Sequence, residues 1–177
     1  MIVDVFMFDD EFDMLDCRLH QLRGIVDQYI VTEADHTFSG IPKPYHLSEA
    51  IEAGRYAGEP ITVVRAETAA DHPIEIRSRP WILQETAVAW WREGAQRSAA
   101  NGMIWRLPED AVVSFGDLDE IPRRWVLKGF TGAPAVLSML HLVYSTKQKT
   151  PGMWAGTVVG YRKDLGPSPH EVRENRW

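Results

Sequence analysis

The spacing of hydrophobic residues predicts that the chain opens with a strand, a helix and a second strand. Residues 2–8 are almost continuously apolar, as in a strand buried on both faces of a sheet. Residues 11–23 carry apolar side chains at intervals of three and four, with Arg18 on the polar face, which predicts an amphipathic helix that Gly24 ends. Residues 26–34 then predict the second strand. This order begins a right-handed α/β unit, in which the strands are parallel.

The rest of the pattern predicts further elements of one α/β domain. Helices are predicted at residues 48–57, 80–101 and 121–128, and strands at residues 61–64, 112–116, 135–144 and 153–161. The last two strands are separated by a basic turn and are predicted to add an antiparallel pair to a mostly parallel sheet. Residues 1–177 are thus predicted to form a single domain, with the polar residues 166–177 as a poorly ordered tail.

The fourth predicted strand leads into an unusual cluster of acidic residues. It ends at a glycine, and carboxylates follow at Asp117, Asp119 and Glu120. If the strand continues through the two aspartates, alternation places both on one face. Because Mg²⁺ and Mn²⁺ prefer oxygen ligands and bridge to phosphate oxygens, this pair predicts a metal-bound diphosphate. The alternative is an acidic turn that caps a helix beginning at Pro122.

Composition and charge narrow the class of protein. The net charge of −6 argues against a broad nucleic-acid surface, and 177 residues suffice to bury a core without disulfides. The single cysteine, Cys17, is predicted to be a small buried thiol in the first helix. No stretch reaches the roughly 20 apolar residues of a membrane span, and the apolar start is too short for a signal peptide. The expected location is therefore the cytoplasm.

Two other segments carry candidate ligand contacts. The loop of residues 35–47 follows the second strand and is rich in turn formers, and open α/β sheets bind ligands at such strand ends. In the long helix, Glu93 and Arg97 are four residues apart and are predicted to form an ion pair. The sequence contains neither the glycine-rich dinucleotide fingerprint nor a P-loop.

Four separated blocks of the sequence resemble one enzyme family. They are the loop segment 33–44, the helical segment 91–97, the segment Gly-Asp-Leu-Asp-Glu-Ile-Pro at 116–122, and the strand pair around Tyr144, Lys147 and Trp154. In order and spacing over about residues 1–162, these blocks resemble glycosyltransferase family 17, the β-1,4-mannosyl-glycoprotein β-1,4-N-acetylglucosaminyltransferase family.

The resemblance implies a GT-A-like (Rossmann-like) three-layer sandwich and an inverting transfer from a nucleotide sugar, UDP-N-acetylglucosamine, to a hydroxyl acceptor. It also implies a Mn²⁺ or Mg²⁺ ion, for which Asp117 and Asp119 are the candidate ligands. Inversion requires a base that takes the acceptor's proton, and Glu120 is the candidate, with capping of the next helix as its alternative role.

The resemblance further assigns candidate contacts to the nucleotide sugar. These residues are Glu33, Thr37, Ser39, Lys43, Arg92, Arg97 and Asp117. For Lys43 the alternative is a solvated cation in the loop. For Arg92 and Arg97 the alternative is a structural ion pair that braces the acidic residues.

Family members continue beyond this length through a Gly-Trp-His segment. We therefore expect a natural short form, a chain that lacks a terminal piece, or a site that a partner completes. The expected lack of a membrane anchor suits a bacterial or viral cytosolic enzyme. Two other functions fit the same residues: a nucleotidyltransferase, and a non-catalytic subunit that binds nucleotide sugars or serves assembly. Nucleic acid is expected only as a modified acceptor, and the sequence predicts no oligomeric state.

Overall fold

Six strands form one mixed sheet in the order β3-β2-β1-β4-β6-β5. The computed structural model describes residues 1–68, 84–142, 147–166 and 168–174. The strands are Ile2–Phe8 (β1), Gln28–Ala34 (β2), Ile61–Ala66 (β3), Val112–Gly116 (β4), Ala135–Leu142 (β5) and Lys149–Tyr161 (β6). The helices are Phe12–Leu22 (α1), His46–Glu52 (α2), Gln84–Ser98 (α3), Asn101–Ile104 (α4), Arg124–Lys128 (α5) and Pro169–Glu174 (α6), and the 3₁₀ helix Arg162–Asp164 follows β6.

The strand directions confirm the predicted α/β sheet. β1 pairs in parallel with β2 and with β4, and β2 pairs in parallel with β3. β6 runs antiparallel to β4 and to β5, which gives the predicted late antiparallel pair. Because β1 and β4 are parallel neighbours, their carboxyl ends lie at the same edge of the sheet. That edge carries the acidic residues.

Buried side chains cover both faces of the sheet. On one face, Phe6 of β1 belongs to a cluster with Leu15 and Leu19 of α1. On the other face, Val5 of β1 belongs to a cluster with Ile104 of α4. Adjacent residues of one strand thus serve opposite clusters, as the alternation of side chains requires. The resulting arrangement is a sheet between two layers of helices.

Several predicted helix boundaries were wrong. α2 begins at His46 and ends at Glu52, so it is earlier and shorter than predicted. Gly102 lies inside α4 and does not end the long helix, because α3 already ends at Ser98. α5 begins only at Arg124. The predicted start of the long helix at residues 80–83 lies outside the described residues. Backbone preferences locate helices but not their terminal turns, which depend on tertiary contacts.

Two neighbouring residues of α1 have environments opposite to those predicted. Cys17 was predicted to be buried and is exposed. Arg18 was assigned to the polar face of the helix and is fully buried. Residue 18 lies three positions after Leu15 and four before Leu22, so it belongs to the same helical face as these buried leucines. The buried face of α1 is therefore wider than its apolar stripe.

The predicted poorly ordered tail contains helix α6. Val172 of this helix packs against the cluster that contains Val5 and Ile104. The next residue, Arg173, is only 2% exposed. The polar composition of residues 166–177 suggested a solvated tail. In the structure, Arg173 of this segment pairs with the carboxylates of Asp117 and Glu120. Within the described part of the chain, no helix is long and apolar enough to cross a membrane.

Candidate active site

A cleft of about 450 Å³ opens at the carboxyl ends of β1 and β4. Its walls combine apolar side chains from β1, α1 and the loop after β2 with charged side chains from α3 and the segment after β4. The lining residues are Met7, Phe8, Asp9, Glu11, Met14, Phe38, Glu93, Gln96, Arg97, Asp117, Leu118 and Asp119. The cleft therefore brings together three of the predicted site residues, namely Arg97, Asp117 and Asp119.

The segment 117–120, called the acidic loop below, is anchored to the sheet by the buried side chain of Arg18. β4 ends at Gly116, as predicted, and the next residues form a turn, so the strand does not continue through the two aspartates. Arg18 donates to the backbone oxygens of Asp117 and Leu118 at 2.7 and 2.9 Å. Its guanidinium also pairs with Asp4 of β1, at 2.7 Å from Nε to Oδ2. These bonds attach the loop backbone to the centre of the sheet.

Two arginines neutralise Asp117. Arg97 of α3 donates to its Oδ1 at 2.7 Å, and Arg173 of α6 donates to its Oδ2. Arg97 also pairs with Glu93 at 2.6 Å, which confirms the predicted ion pair along the helix. Asp117 is thus the centre of a charge network that joins α3, the acidic loop and α6. Both of its oxygens accept hydrogen bonds from arginines, and its role as a metal ligand stays a prediction.

Glu120 is held just as firmly. Its carboxylate accepts hydrogen bonds from Arg173 at 2.5 and 3.0 Å, from the indole Nε1 of Trp154 at 2.6 Å, and from the backbone nitrogen of Asp117 at 3.1 Å. The side chain is buried, and a Cβ at Gly116 would lie 2.9 Å from Glu120 Oε2. Glu120 is also absent from the residues that line the cleft. We therefore assign Glu120 to the framework of the loop in place of the predicted catalytic base.

Asp119 differs from its two acidic neighbours. It is exposed, and no other side chain in the described ranges forms a hydrogen bond or ion pair with its carboxylate. Desolvation by the surrounding protein, followed by repulsion from Asp117 and Glu120, raises the pKa of the Asp119 carboxyl. The ionised form lacks compensating charge, and a cation at this position would supply it.

The residues fit a divalent cation only if other ligands complete its shell. Among the described residues, no group of three or more His, Cys, Asp or Glu side chains is arranged to hold a metal ion. Among the described residues that line the cleft, Asp119 and Glu11 are exposed carboxylates without an ion-pair partner, and Glu11 accepts hydrogen bonds from the backbone nitrogens of Asp9 and Asp10. Magnesium ions are commonly held by one or two carboxylates together with substrate phosphates and water. A metal that arrives with a diphosphate therefore matches this donor set.

The loop after β2 is braced by its own contacts. The hydroxyls of Thr37 and Ser39 are 2.9 Å apart, and the loop is exposed at this point. Lys43 pairs with Asp9 at 2.9 Å, so it is not the solvated cation of the alternative prediction. Arg92 donates to the backbone oxygen of Thr68 at 3.3 Å and joins α3 to the chain that follows β3. Lys43 and Arg92 thus hold together the chain segments that surround this side of the cleft.

Glu33 at the end of β2 is fully buried and belongs to the framework. Its carboxylate accepts hydrogen bonds from the backbone nitrogens of Leu47 and Ser48 at 2.6 and 3.1 Å, and from the Ser48 hydroxyl at 3.1 Å. These donors lie in the first turn of α2, where the free amides of a helix favour an anion. A carboxylate with no exposed surface cannot meet a ligand directly. We assign Glu33 this structural role in place of the predicted nucleotide contact.

Sequence reasoning missed three residues that organise the site. Arg173 lies 53 positions after Glu120, in a segment that composition marked as a tail. Arg18 was placed on the solvent side of α1. Trp154 was noted only as part of a matching hairpin, whereas its indole contacts the acidic loop. A usable signal existed for Arg18, since a buried acid at Asp4 on a core strand requires a partner.

The sequence is similar to one known protein family. The sequence model of glycosyltransferase family 17 matches residues 1–166 of the chain. The rat and human proteins named beta-1,4-mannosyl-glycoprotein 4-beta-N-acetylglucosaminyltransferase are each 29% identical over 157 residues, which is 85% of this chain and 28% of each relative. The chain thus spans just over a quarter of the length of these relatives. No solved structure matches.

Proposed function

Because the chain belongs to glycosyltransferase family 17, we propose that it transfers a sugar from a nucleotide diphosphate to a hydroxyl acceptor. The relatives' names suggest N-acetylglucosamine as the sugar and a mannosyl-glycoprotein as the acceptor class. We take UDP as the nucleotide. The observation that carries the proposal is a cleft in which Arg97 and the exposed Asp119 line the same space at the ends of parallel strands. Open α/β sheets bind ligands at this edge.

In the proposed reaction, the acceptor hydroxyl gives its proton to water or another base as its oxygen bonds to the anomeric carbon, and the bond from that carbon to the diphosphate breaks. The nucleoside diphosphate leaves with the electron pair, and the configuration at the anomeric carbon inverts. Charge develops on the leaving diphosphate, so fixed positive charge beside it lowers the barrier. Arg97 is placed to contribute such charge because Glu93 and Asp117 hold its guanidinium in the wall of the cleft.

The proposed metal ligand of the chain is Asp119. A bound Mn²⁺ or Mg²⁺ ion supplies positive charge that stabilises the leaving diphosphate. Asp119 provides an exposed carboxylate whose ionised form its surroundings disfavour, so it gains from a cation. Asp117 contributes by fixing Arg97 and the shape of the loop.

The apolar part of the cleft suits the nucleoside. Met7, Met14 and Phe38 give this part an apolar lining, and most small-molecule sites combine such surfaces with few polar groups. Thr37 and Ser39 flank Phe38 on the exposed loop and serve as proposed contacts to the ribose hydroxyls. The mixed sheet with its late antiparallel pair supports the GT-A-like arrangement that the proposal assumes.

Calorimetric titration with nucleotide tests this proposal. We expect UDP and UDP-N-acetylglucosamine to bind when Mn²⁺ is present and to bind at least about tenfold more weakly when a chelator replaces it. Asp119→Asn should lose this metal-dependent part. The control is Asp110→Asn, which removes an exposed aspartate just before the opposite end of β4 and should bind like the wild type.

The outcomes separate the competing functions. Equal binding with metal and with chelator, or full metal dependence in Asp119→Asn, would contradict the proposed metal site. Metal-dependent binding without release of UDP in the presence of acceptors would favour the non-catalytic binding protein. Incorporation of the nucleotide itself into a product would favour the nucleotidyltransferase.

A further inference from the structure

The hairpin of β5 and β6 exposes apolar side chains beyond the core of the sheet. The second half of β6 is buried beside β4, whereas its first half is largely exposed. Leu140 and Met153 are 52% and 55% exposed, and Trp154 is 36% exposed. An exposed aromatic side chain such as that of Trp154 next to a candidate active site is a candidate ligand contact.

The two faces of this hairpin differ in their surroundings. Met139 is paired with Trp154, and Leu140 is paired with Met153, so these pairs point to opposite faces. The Trp154 face looks toward the acidic loop, because its Nε1 donates to Glu120 Oε1 at 2.6 Å. His141 lies on the same face, with its ring centroid 5.1 Å from that of Trp154 and the planes inclined by 30°. The result is an aromatic pair at the rim of the acidic loop.

We propose that the pair formed by His141 and Trp154 is a platform on which a pyranose ring of the sugar acceptor stacks. A pyranose presents C–H groups on its faces and hydroxyls around its edge. The C–H groups pack against an aromatic ring, while the hydroxyls reach nearby acceptors such as carboxylates. An indole that Glu120 already holds loses little freedom on binding, which favours affinity. This proposal rests on the proposed function, since it concerns the acceptor of the same reaction.

The sheet order separates the platform from the donor cleft. β1 lies on one side of β4, and β6 lies on the other. The cleft is lined from β1, α1, the loop after β2, α3 and the acidic loop, and none of the described residues of β5 and β6 lines it. The platform therefore flanks the acidic loop on the side opposite to the cleft. A donor in the cleft and an acceptor on the platform would meet at this loop, as transfer requires.

The test follows the indole of Trp154 directly by NMR. The ¹⁵N-labelled wild-type chain is titrated with mannotriose and with N,N′-diacetylchitobiose in the presence of UDP and Mg²⁺, which is diamagnetic and leaves signals near the acidic loop sharp. We expect the indole N–H signal that disappears in Trp154→Phe to shift with added saccharide. The indole signal of Trp105, another partly exposed tryptophan, serves as the internal reference and should stay in place.

Two variants separate stacking from a general effect on the fold. His141→Ala removes half of the platform and leaves the Trp154 bond to Glu120 intact, so we expect saccharide affinity to fall at least about fivefold, in the range of one aromatic contact. Leu142→Ala removes an exposed apolar side chain from the same hairpin and should change saccharide affinity less than about twofold. UDP affinity should be unchanged in both variants.

Three results would overturn the platform. The first is a Trp154 indole signal that stays fixed with both saccharides. The second is a His141→Ala variant that binds the saccharides like the wild type. The third is a Leu142→Ala variant whose saccharide affinity falls as much as that of His141→Ala. UDP binding in the same samples distinguishes this failure from failure of the proposed function. If UDP also does not bind, the donor site is wrong; if UDP binds and saccharides do not reach Trp154, only the platform is wrong.

Discussion

Asp117, Asp119 and Glu120 lie within four residues of one another but carry their charge in different ways. Asp117 and Glu120 each bond to Arg173, whereas Asp119 is exposed with no such partner among the described residues. Two of the carboxylates thus fix the loop. The third is available to a ligand. Arginines that are distant in sequence therefore give two of these three acids a structural role and leave the third as the candidate functional group.

This division predicts how Asp119 affects stability. Its pKa is raised, so the folded state holds the proton more tightly than the unfolded state does. The free energy of unfolding should therefore fall as pH rises from the ordinary aspartate range through the raised pKa, and the penalty should persist at neutral pH. Without metal, Asp119→Asn should therefore unfold at a slightly higher temperature than the wild type at neutral pH. The gain in free energy of unfolding should be only a few tenths of a kcal/mol, because solvent screens the exposed carboxylate.

Thermal unfolding followed by circular dichroism measures this difference. The gain of Asp119→Asn over the wild type should vanish below the ordinary aspartate pKa, where both side chains are neutral. Added Mn²⁺ with UDP should stabilise the wild type and not the variant. A variant that is less stable than the wild type at neutral pH without metal would show that the Asp119 carboxylate is a structural partner.

At the scale of elements, helix α6 connects the end of the described chain to the acidic loop. It has six residues, too few to be stable alone, so its docking depends on tertiary contacts. Arg173 provides one of these, because its guanidinium bonds to both Asp117 and Glu120. The integrity of the candidate site therefore depends on a short helix that lies far from it in sequence.

Substitution of Arg173 tests this dependence. Arg173→Met leaves two carboxylates without their shared partner and should lower the free energy of unfolding by about 3–5 kcal/mol. Arg173→Lys keeps the charge but not the forked geometry and should lose less. The control is Arg55→Met, which breaks an exposed pair with Asp16 and should cost at most about 1 kcal/mol. Urea unfolding provides the comparison, and equal losses for Arg173→Met and Arg55→Met would show that α6 is not docked in solution.

Elements were easier to predict from sequence than their contacts were. The leucines at 15, 19 and 22 gave α1 because local spacing reports a helical face. Glu33 and Arg173 were misjudged because their partners are set by the fold, which places Glu33 under the amides of α2 and Arg173 above Glu120. Periodicity contains no information on such pairs. The acidic residues themselves were found because a strand end with clustered carboxylates is unusual in any core.

At the scale of the whole molecule, the sheet sets the relation between the two candidate binding regions. The parallel strands bring the ends of β1 and β4 together and form the cleft. The antiparallel pair adds a hairpin whose aromatic face meets the acidic loop from the other side. The loop after β4 thus lies between a region suited to a nucleotide and a region suited to a sugar. This arrangement is what a transfer between two bound substrates needs.

The measurement that examines the donor site most directly is paramagnetic broadening by Mn²⁺ in the ¹⁵N-labelled chain with UDP. The signals of Leu118 and Asp119 in the acidic loop and of Phe8 and Asp9 at the end of β1 should broaden first, while those of Asp110 and Ala111 at the other end of β4 stay sharp. Asp119→Asn should abolish the pattern. Broadening centred elsewhere, or an unchanged pattern in Asp119→Asn, would contradict a nucleotide and metal site at this loop.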